Sequence, residues 1–144
     1  MATSAATLAD KPTPTEPTSD YVIAKKDEPN YVQGRREWMK YRELGVTEAS
    51  GGRIRAQVTS ASSGLSEPTG WHYHVCEGQF VYMLSGWVEL EFAGGRKVRI
   101  EAGDSLYITG GTPHNETRTS ETFELVEISV PADMGTEACE APTG

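Results

Sequence analysis

The sequence predicts an all-β domain, a sandwich or barrel of short strands. Three observations carry that reading. The middle of the chain is a series of short β-branched and aromatic runs, glycines punctuate them, and apolar and polar residues alternate within them.

Taken in order, residues 1–20 hold Pro12, Pro14 and Pro17 among Thr, Ser and Ala, with little bulky apolar side chain besides Leu8. Such a segment buries too little surface to offset its ordering entropy, and a disordered arm is expected. Arg35–Leu44 is compatible with a helix or an edge strand and is taken as strand. The further expected strands are Arg53–Thr59, Gly70–Val75, Gln79–Leu84, Trp87–Phe92, Lys97–Glu101, Ser105–Ile108 and Phe123–Val130. Ala93-Gly94-Gly95 suits a hairpin turn, because glycine supplies the positive φ that such turns need. Ser85-Gly86 punctuates another. Residues 132–144 are small, acidic and aperiodic, and are expected to be a surface tail. One domain over residues 21–131 remains.

Parity assigns faces. Val88, Leu90 and Phe92 alternate with Trp87, Glu89 and Glu91, and Val98 and Ile100 alternate with Lys97, Arg99 and Glu101. These two runs form a hairpin with one face in the core and one in water. Val81 and Met83 share the face of Gln79, while Phe80, Tyr82 and Leu84 point away from it. Ile54, Ala56 and Val58 are the apolar row of their strand. A mostly apolar barrel interior follows, suited to an aromatic or polycarbonyl molecule.

Charge and composition exclude other classes. The 144 residues carry 13 basic and 21 acidic side chains, a net charge of −8. With no basic stripe, nucleic acid and anionic lipid are not expected partners. No apolar run is long enough to span a bilayer, and the first residues lack the basic start and apolar stretch of a signal peptide, so a cytoplasmic protein is expected. Two cysteines, Cys76 and Cys139, make no disulfide framework, and Cys76 is expected to act as a small apolar residue.

The chain has three histidines. His72 and His74, at i and i+2, share one face of a strand. Gln79 follows shortly, and His114 comes after Gly110-Gly111-Thr112-Pro113. Three imidazoles and an amide oxygen form a neutral set suited to one divalent transition metal. Asn115, Glu116 and Arg118 are placed to hydrogen-bond around it. Glu77 and Glu101 are the acids considered as a base. Trp71 and Tyr73 flank the histidines and by parity face away from them. Arg35-Arg36 reads as a plain surface pair.

These residues resemble the cupins. The family's first motif is a glycine, an HxH pair, a glutamate and a glycine; Ser66, His72-Tyr73-His74, Gln79 (at the longer spacing) and Gly86 stand at those places. Its second motif is a glycine, a proline, a glycine, a histidine and an asparagine; Gly103, Thr109, Gly111, His114 and Arg118 stand there. The resemblance implies a cupin-type double-stranded β-helix, a jelly-roll barrel. It also implies metal ligands His72, His74, Gln79 and His114, with zinc favoured over iron, nickel, manganese or copper. Gln79 for glutamate falls on the metal itself. A carboxamide cancels none of the metal's charge, so the site should polarise a carbonyl more strongly but hold metal less tightly. A glutamine that hydrogen-bonds a metal water or the substrate is the other reading of Gln79.

The expected activity is Lewis-acid chemistry on a polycarbonyl or aromatic small molecule, with a metal-bound water or nearby side chain moving the proton. The resemblance extends to bacterial aromatic polyketide cyclases, which implies aldol-type ring closure and dehydration. The competing readings are a dioxygenase of a diketone or flavonol-like substrate and a binding cupin without turnover. A homodimer is expected, covering the sheet edges and the outward aromatics Phe80, Tyr82 and Trp87.

Overall fold

The computed structural model describes residues 7–143. Its elements, in chain order, are β1 Asn30–Gln33, β2 Met39–Glu43, α1 Val46–Ala49, β3 Arg55–Ala61, β4 His72–Val75, β5 Gly78–Ser85, β6 Trp87–Phe92, β7 Arg96–Glu101, β8 Ser105–Thr109, β9 His114–Thr119, β10 Phe123–Val130 and β11 Gly135–Ala138. They build two antiparallel sheets, ordered β1-β2-β3-β10-β5-β8 and β11-β4-β9-β6-β7. From β3 onward the chain passes repeatedly between the sheets, which gives the jelly roll.

The predicted hairpin forms from β6 and β7, with Val88 opposite Ile100 and Leu90 opposite Val98. Gly94 turns it at φ 79°. Val88 and Leu90 are buried, whereas the outer face carries Arg99 paired with Glu89 at 2.5 Å and stacked over Trp87 at 3.9 Å. Between the sheets, Met83, Leu90, Ile108, Phe123 and Leu125 pack into the core, and Met83 is 0% exposed.

Three strands carry too little apolar alternation to be seen in sequence: β1, β9 (His-Asn-Glu-Thr-Arg-Thr) and β11. The expected tail is therefore structured in part, since β11 pairs with β4 and sets Thr136 opposite His74. The expected arm lies partly outside the described residues. In its described part, the Thr15 and Thr18 N–H groups donate to the Gly51 and Ala49 carbonyls at 2.8 and 3.1 Å, which ties it to the body. Within Arg35–Leu44 the strand is confined to β2, and Arg35-Arg36 sit in the preceding turn, closed by Gly34 N–H donating to the Met39 carbonyl.

The row expected inside β3 faces the other way. Arg55, Gln57 and Thr59 point into the barrel with Glu127 and Gln79, while Ile54, Ala56 and Val58 lie on the outer face beside Val126 and Ile128. Ile54 is 39% exposed. The outer face of this sheet is itself apolar, so alternation in β3 gave the wrong side. The interior is consequently apolar at one end and polar at the other.

Candidate metal centre and cavity

Antiparallel pairing does the first work of assembly. His72 on β4 stands opposite His114 on β9, and His74 lies on the same face two residues along β4. The three rings sit 4.4–5.3 Å apart between centroids. One nitrogen from each lies within 4.8 Å of the others, and all three residues are buried.

The opposite ring nitrogens fix the rings. His72 Nδ1 is 2.8 Å from the Gly70 carbonyl and His114 Nδ1 is 2.9 Å from the Thr112 carbonyl. A carbonyl only accepts, so both Nδ1 atoms carry the proton, and each Nε2 keeps a lone pair. His74 Nδ1 meets the Thr136 hydroxyl at 3.0 Å. The Nε2 atoms of His72 and His114 are buried without a hydrogen-bond partner. Buried, unsatisfied, preoriented imidazole nitrogens converging on one point fit a divalent metal.

Glu116, two residues after His114 on β9, brings a carboxylate to that point. Its Oε2 lies 3.2 Å from His72 Nε2 and its Oε1 lies 3.8 Å from His114 Nε2. The Thr69 hydroxyl donates to Oε2 at 2.9 Å. Desolvation works to raise the Glu116 pKa, but the hydrogen bond and charge of His72 and the charge of His114 outweigh it and hold it down to about 2. Both effects of His72 belong to its protonated ring, whose Nε2–H faces Glu116, and that carboxylate raises the His72 pKa in return. His74 is pushed down to about 4 by burial and then by the charges of His114 and His72, and burial also lowers His114.

Gln79 comes from the opposite sheet. Its side-chain amide N–H donates to Glu127 Oε1, and Gln57 Nε2 and Thr59 Oγ1 donate to Glu127 Oε2 at 3.0 and 3.1 Å. A carboxylate accepts only from the NH2 side of an amide, so Glu127 decides which end of Gln79 is left free. The free end is the carbonyl oxygen, the atom able to face a metal.

Beside the histidines lies a cavity of about 380 Å³, within the range of small-molecule sites. Val81 and Met83 line it with Gln79, as parity predicted; Met83, Val88, Phe123 and Leu125 form its apolar end, while Leu90 and Ile108 stand opposite Glu116 and Gln79. Arg35, Arg36, Arg55, Gln57, Thr59 and Tyr41 line it as well, with Glu116 and Glu127. The polar half was missed in sequence, although Glu127 in the apolar row Phe123–Leu125 of β10 was a visible irregularity. Other expectations separate from the site. Glu77 and Glu101 are exposed and line no part of the cavity. Arg118 is exposed and stacks 5.6 Å from Trp87. Asn115 accepts from Gly70 N–H at 3.0 Å, which supports the segment leading to His72. Cys76 is a buried free thiol whose pKa burial raises, as suits a small apolar residue.

Comparison with known proteins follows the same lines. The polyketide cyclase RemF from Streptomyces resistomycificus superposes with a TM-score of 0.63 at 18% identity, over 83% of this chain and 85% of that one. KdgF from Halomonas sp. gives 0.59 at 19% identity, over 76% and 94%. The iron(II) form of HppE gives 0.62 at 16% identity, over 81% of this chain but only 65% of HppE. At these identities the likeness shows the fold. No curated protein sequence matches the chain. The family model described as Cupin domain matches residues 60–131, from within β3 to just past the end of β10, and the chain belongs to the cupin family.

Proposed function

We propose that this cupin is a metal-dependent enzyme acting on a polycarbonyl or aromatic small molecule, as a polyketide cyclase that closes rings by aldol-type addition and dehydration. The observation that carries the reading is the convergence of His72, His74 and His114 at one end of a cavity whose other end is apolar. The likeness in fold to RemF supports it. His72, His74 and His114 would hold the metal, with the Gln79 carbonyl oxygen as the further ligand, oriented by Glu127. A divalent metal supplies Lewis-acid polarisation of a substrate oxygen there.

The chain's own residues do the rest. Met83, Val88, Phe123 and Leu125 hold the hydrocarbon part and exclude water. Glu116 borders the histidines. Glu127, on the other sheet, accepts from Gln79, Gln57 and Thr59 and so orients the polar end of the cavity. The dioxygenase reading draws on the salicylate 1,2-dioxygenase from Pseudaminobacter salicylatoxidans, which shares the fold.

Metal analysis of protein purified without chelator separates the two. Zinc at one equivalent, with ring closure of a poly-β-ketone and no oxygen uptake, is the expected result. Iron or copper with oxygen consumed on a diketone would overturn the cyclase reading. His114→Ala is expected to lose both metal and turnover; turnover surviving that loss would overturn metal catalysis altogether.

A further inference from the structure

Arg35, Arg36 and Arg55 line the cavity, yet none of them forms an ion pair among the described residues. Their guanidinium groups also donate no hydrogen bond there; the bond at Arg35 comes from its backbone N–H, to the Tyr41 hydroxyl at 3.3 Å. In a chain with 21 acidic and 13 basic side chains, three guanidinium groups left unpaired around one cavity are unexpected. For Arg55, which is half-buried, an unpaired charge is costly unless something compensates it.

Their placement is specific. Arg35 and Arg36 come from the turn between β1 and β2 and are exposed, so they stand at the mouth. Arg55 opens β3, half-buried. Register puts it opposite Ser129, which is in turn opposite Gln79, so Arg55 lies in the same cross-strand row as Gln79. The positive charge of Arg35 bears on His72 and His74, and those of Arg35 and Arg55 both bear on Tyr41. The cationic groups thus sit at the polar, histidine end and not at the apolar one. The two carboxylates in the cavity contact none of them: Glu127 accepts from Gln57, Thr59 and Gln79, and Glu116 lies against Thr69 and His72, so three cations face two anions there.

We infer that this end of the cavity is an anion subsite, and that the molecule it takes is an aromatic or polycarbonyl acid whose carboxylate is held by Arg35 and Arg55, with Arg36 at the mouth. A planar guanidinium matches a carboxylate with two parallel hydrogen bonds, which a point charge does not. The hydrocarbon part then lies against Met83 and Leu125, and a ketone oxygen falls near the histidines. With three arginines against Glu116 and Glu127, the lining carries one net positive charge in a protein of net charge −8, which favours an acid there over the rest of the surface. This subsite rests on the reading of an aromatic or polycarbonyl substrate and narrows it to acids.

The test uses the full chain, 2-naphthoate and its neutral counterpart 2-naphthamide, with binding followed by calorimetry in metal-free and zinc-loaded protein. Naphthoate is expected to bind about tenfold more tightly than the amide in the metal-free protein. The preference should shrink as salt rises and vanish in the Arg35→Gln/Arg55→Gln double variant. Arg35→Lys/Arg55→Lys keeps the charge without the planar fork, and is expected to retain a reduced preference; circular dichroism confirms that both variants fold. Equal affinity for the two ligands in metal-free protein, or a preference untouched by either double variant, overturns the anion subsite and leaves metal chemistry standing. Arginine-dependent naphthoate binding in a protein that takes up no metal supports the subsite and overturns the enzymatic reading. Binding of neither ligand overturns both.

Discussion

The Glu116 carboxylate lies 3.2 Å from His72 Nε2 and 3.8 Å from His114 Nε2. The sequence motif points to Gln79 as the residue that brings oxygen to this metal site, and a neutral amide leaves the charge of a divalent ion uncompensated. Glu116 restores a negative charge from a different strand. Replacing it with glutamine should weaken zinc binding by about 10–100-fold, the range typical of groups next to metal ligands. Competition against a fluorescent chelator measures this. An unchanged affinity would show that Glu116 serves only its hydrogen bond to Thr69.

Gln79 and Glu127 make a second prediction. The family's glutamate at position 79 would set a carboxylate against Glu127 and remove the amide that now donates to it. Gln79→Glu should therefore cost about 1–3 kcal/mol of stability. The exchanged pair, Gln79→Glu with Glu127→Gln, should recover most of that loss. Denaturant titration of the two single variants and the double variant gives the coupling. Simple additivity would show that the two side chains do not depend on one another.

Acid should weaken the metal-free protein in a defined window. His74 is held down to about 4, whereas the unfolded chain titrates near ~6.5. The unfolded state therefore binds more protons between these values. The contribution of neutral His74 is fully present above ~6.5 and is lost as the pH falls toward 4, a total on the order of 3 kcal/mol. His72 shifts the opposite way through Glu116, so the difference between wild type and His74→Asn isolates the effect. Parallel melting-temperature profiles for the two chelated proteins would contradict it.

Self-association is expected through the outer face of the six-stranded sheet. Phe80 and Tyr82 lie there with Val126 and Ile128, and Tyr82 and Tyr107 are 41% and 61% exposed. Trp87, the third outward aromatic, belongs to the other sheet under Arg99 and is not part of this patch. Light scattering should give a dimer for the wild type and a monomer for Tyr82→Glu. A monomeric wild type at micromolar concentration would refute it.

The sequence made most of the strands legible, because hairpins such as β6–β7 carry strict alternation between core and water. The histidine cluster was legible as well, since the short spacing of His72 and His74 fixes them on one strand face. What stayed hidden depends on the partner across a sheet. His114–Thr119 is a strand only because Phe92 and His72 lie beside it. The β3 row was assigned to the wrong side because both faces of its sheet carry apolar groups. Glu127 breaks the apolar row of β10, but its role depends on Gln57, Thr59 and Gln79, which donate to it from two other strands. Arg35-Arg36 looked like ordinary surface, since nothing local reveals that a turn folds over a cavity.

The Thr136 hydroxyl steadies His74 from β11, close to the end of the described chain. On a ribosome the parts of this centre emerge in a fixed succession, with His72 and His74 first, His114 after some forty residues and Thr136 last. The nascent chain can present an incomplete set of imidazoles long before the strand that orients the second of them exists. Correct loading is thus tied to a strand that follows all three histidines: a chain cut before β11 would keep the imidazoles and still lack the contact that aims His74.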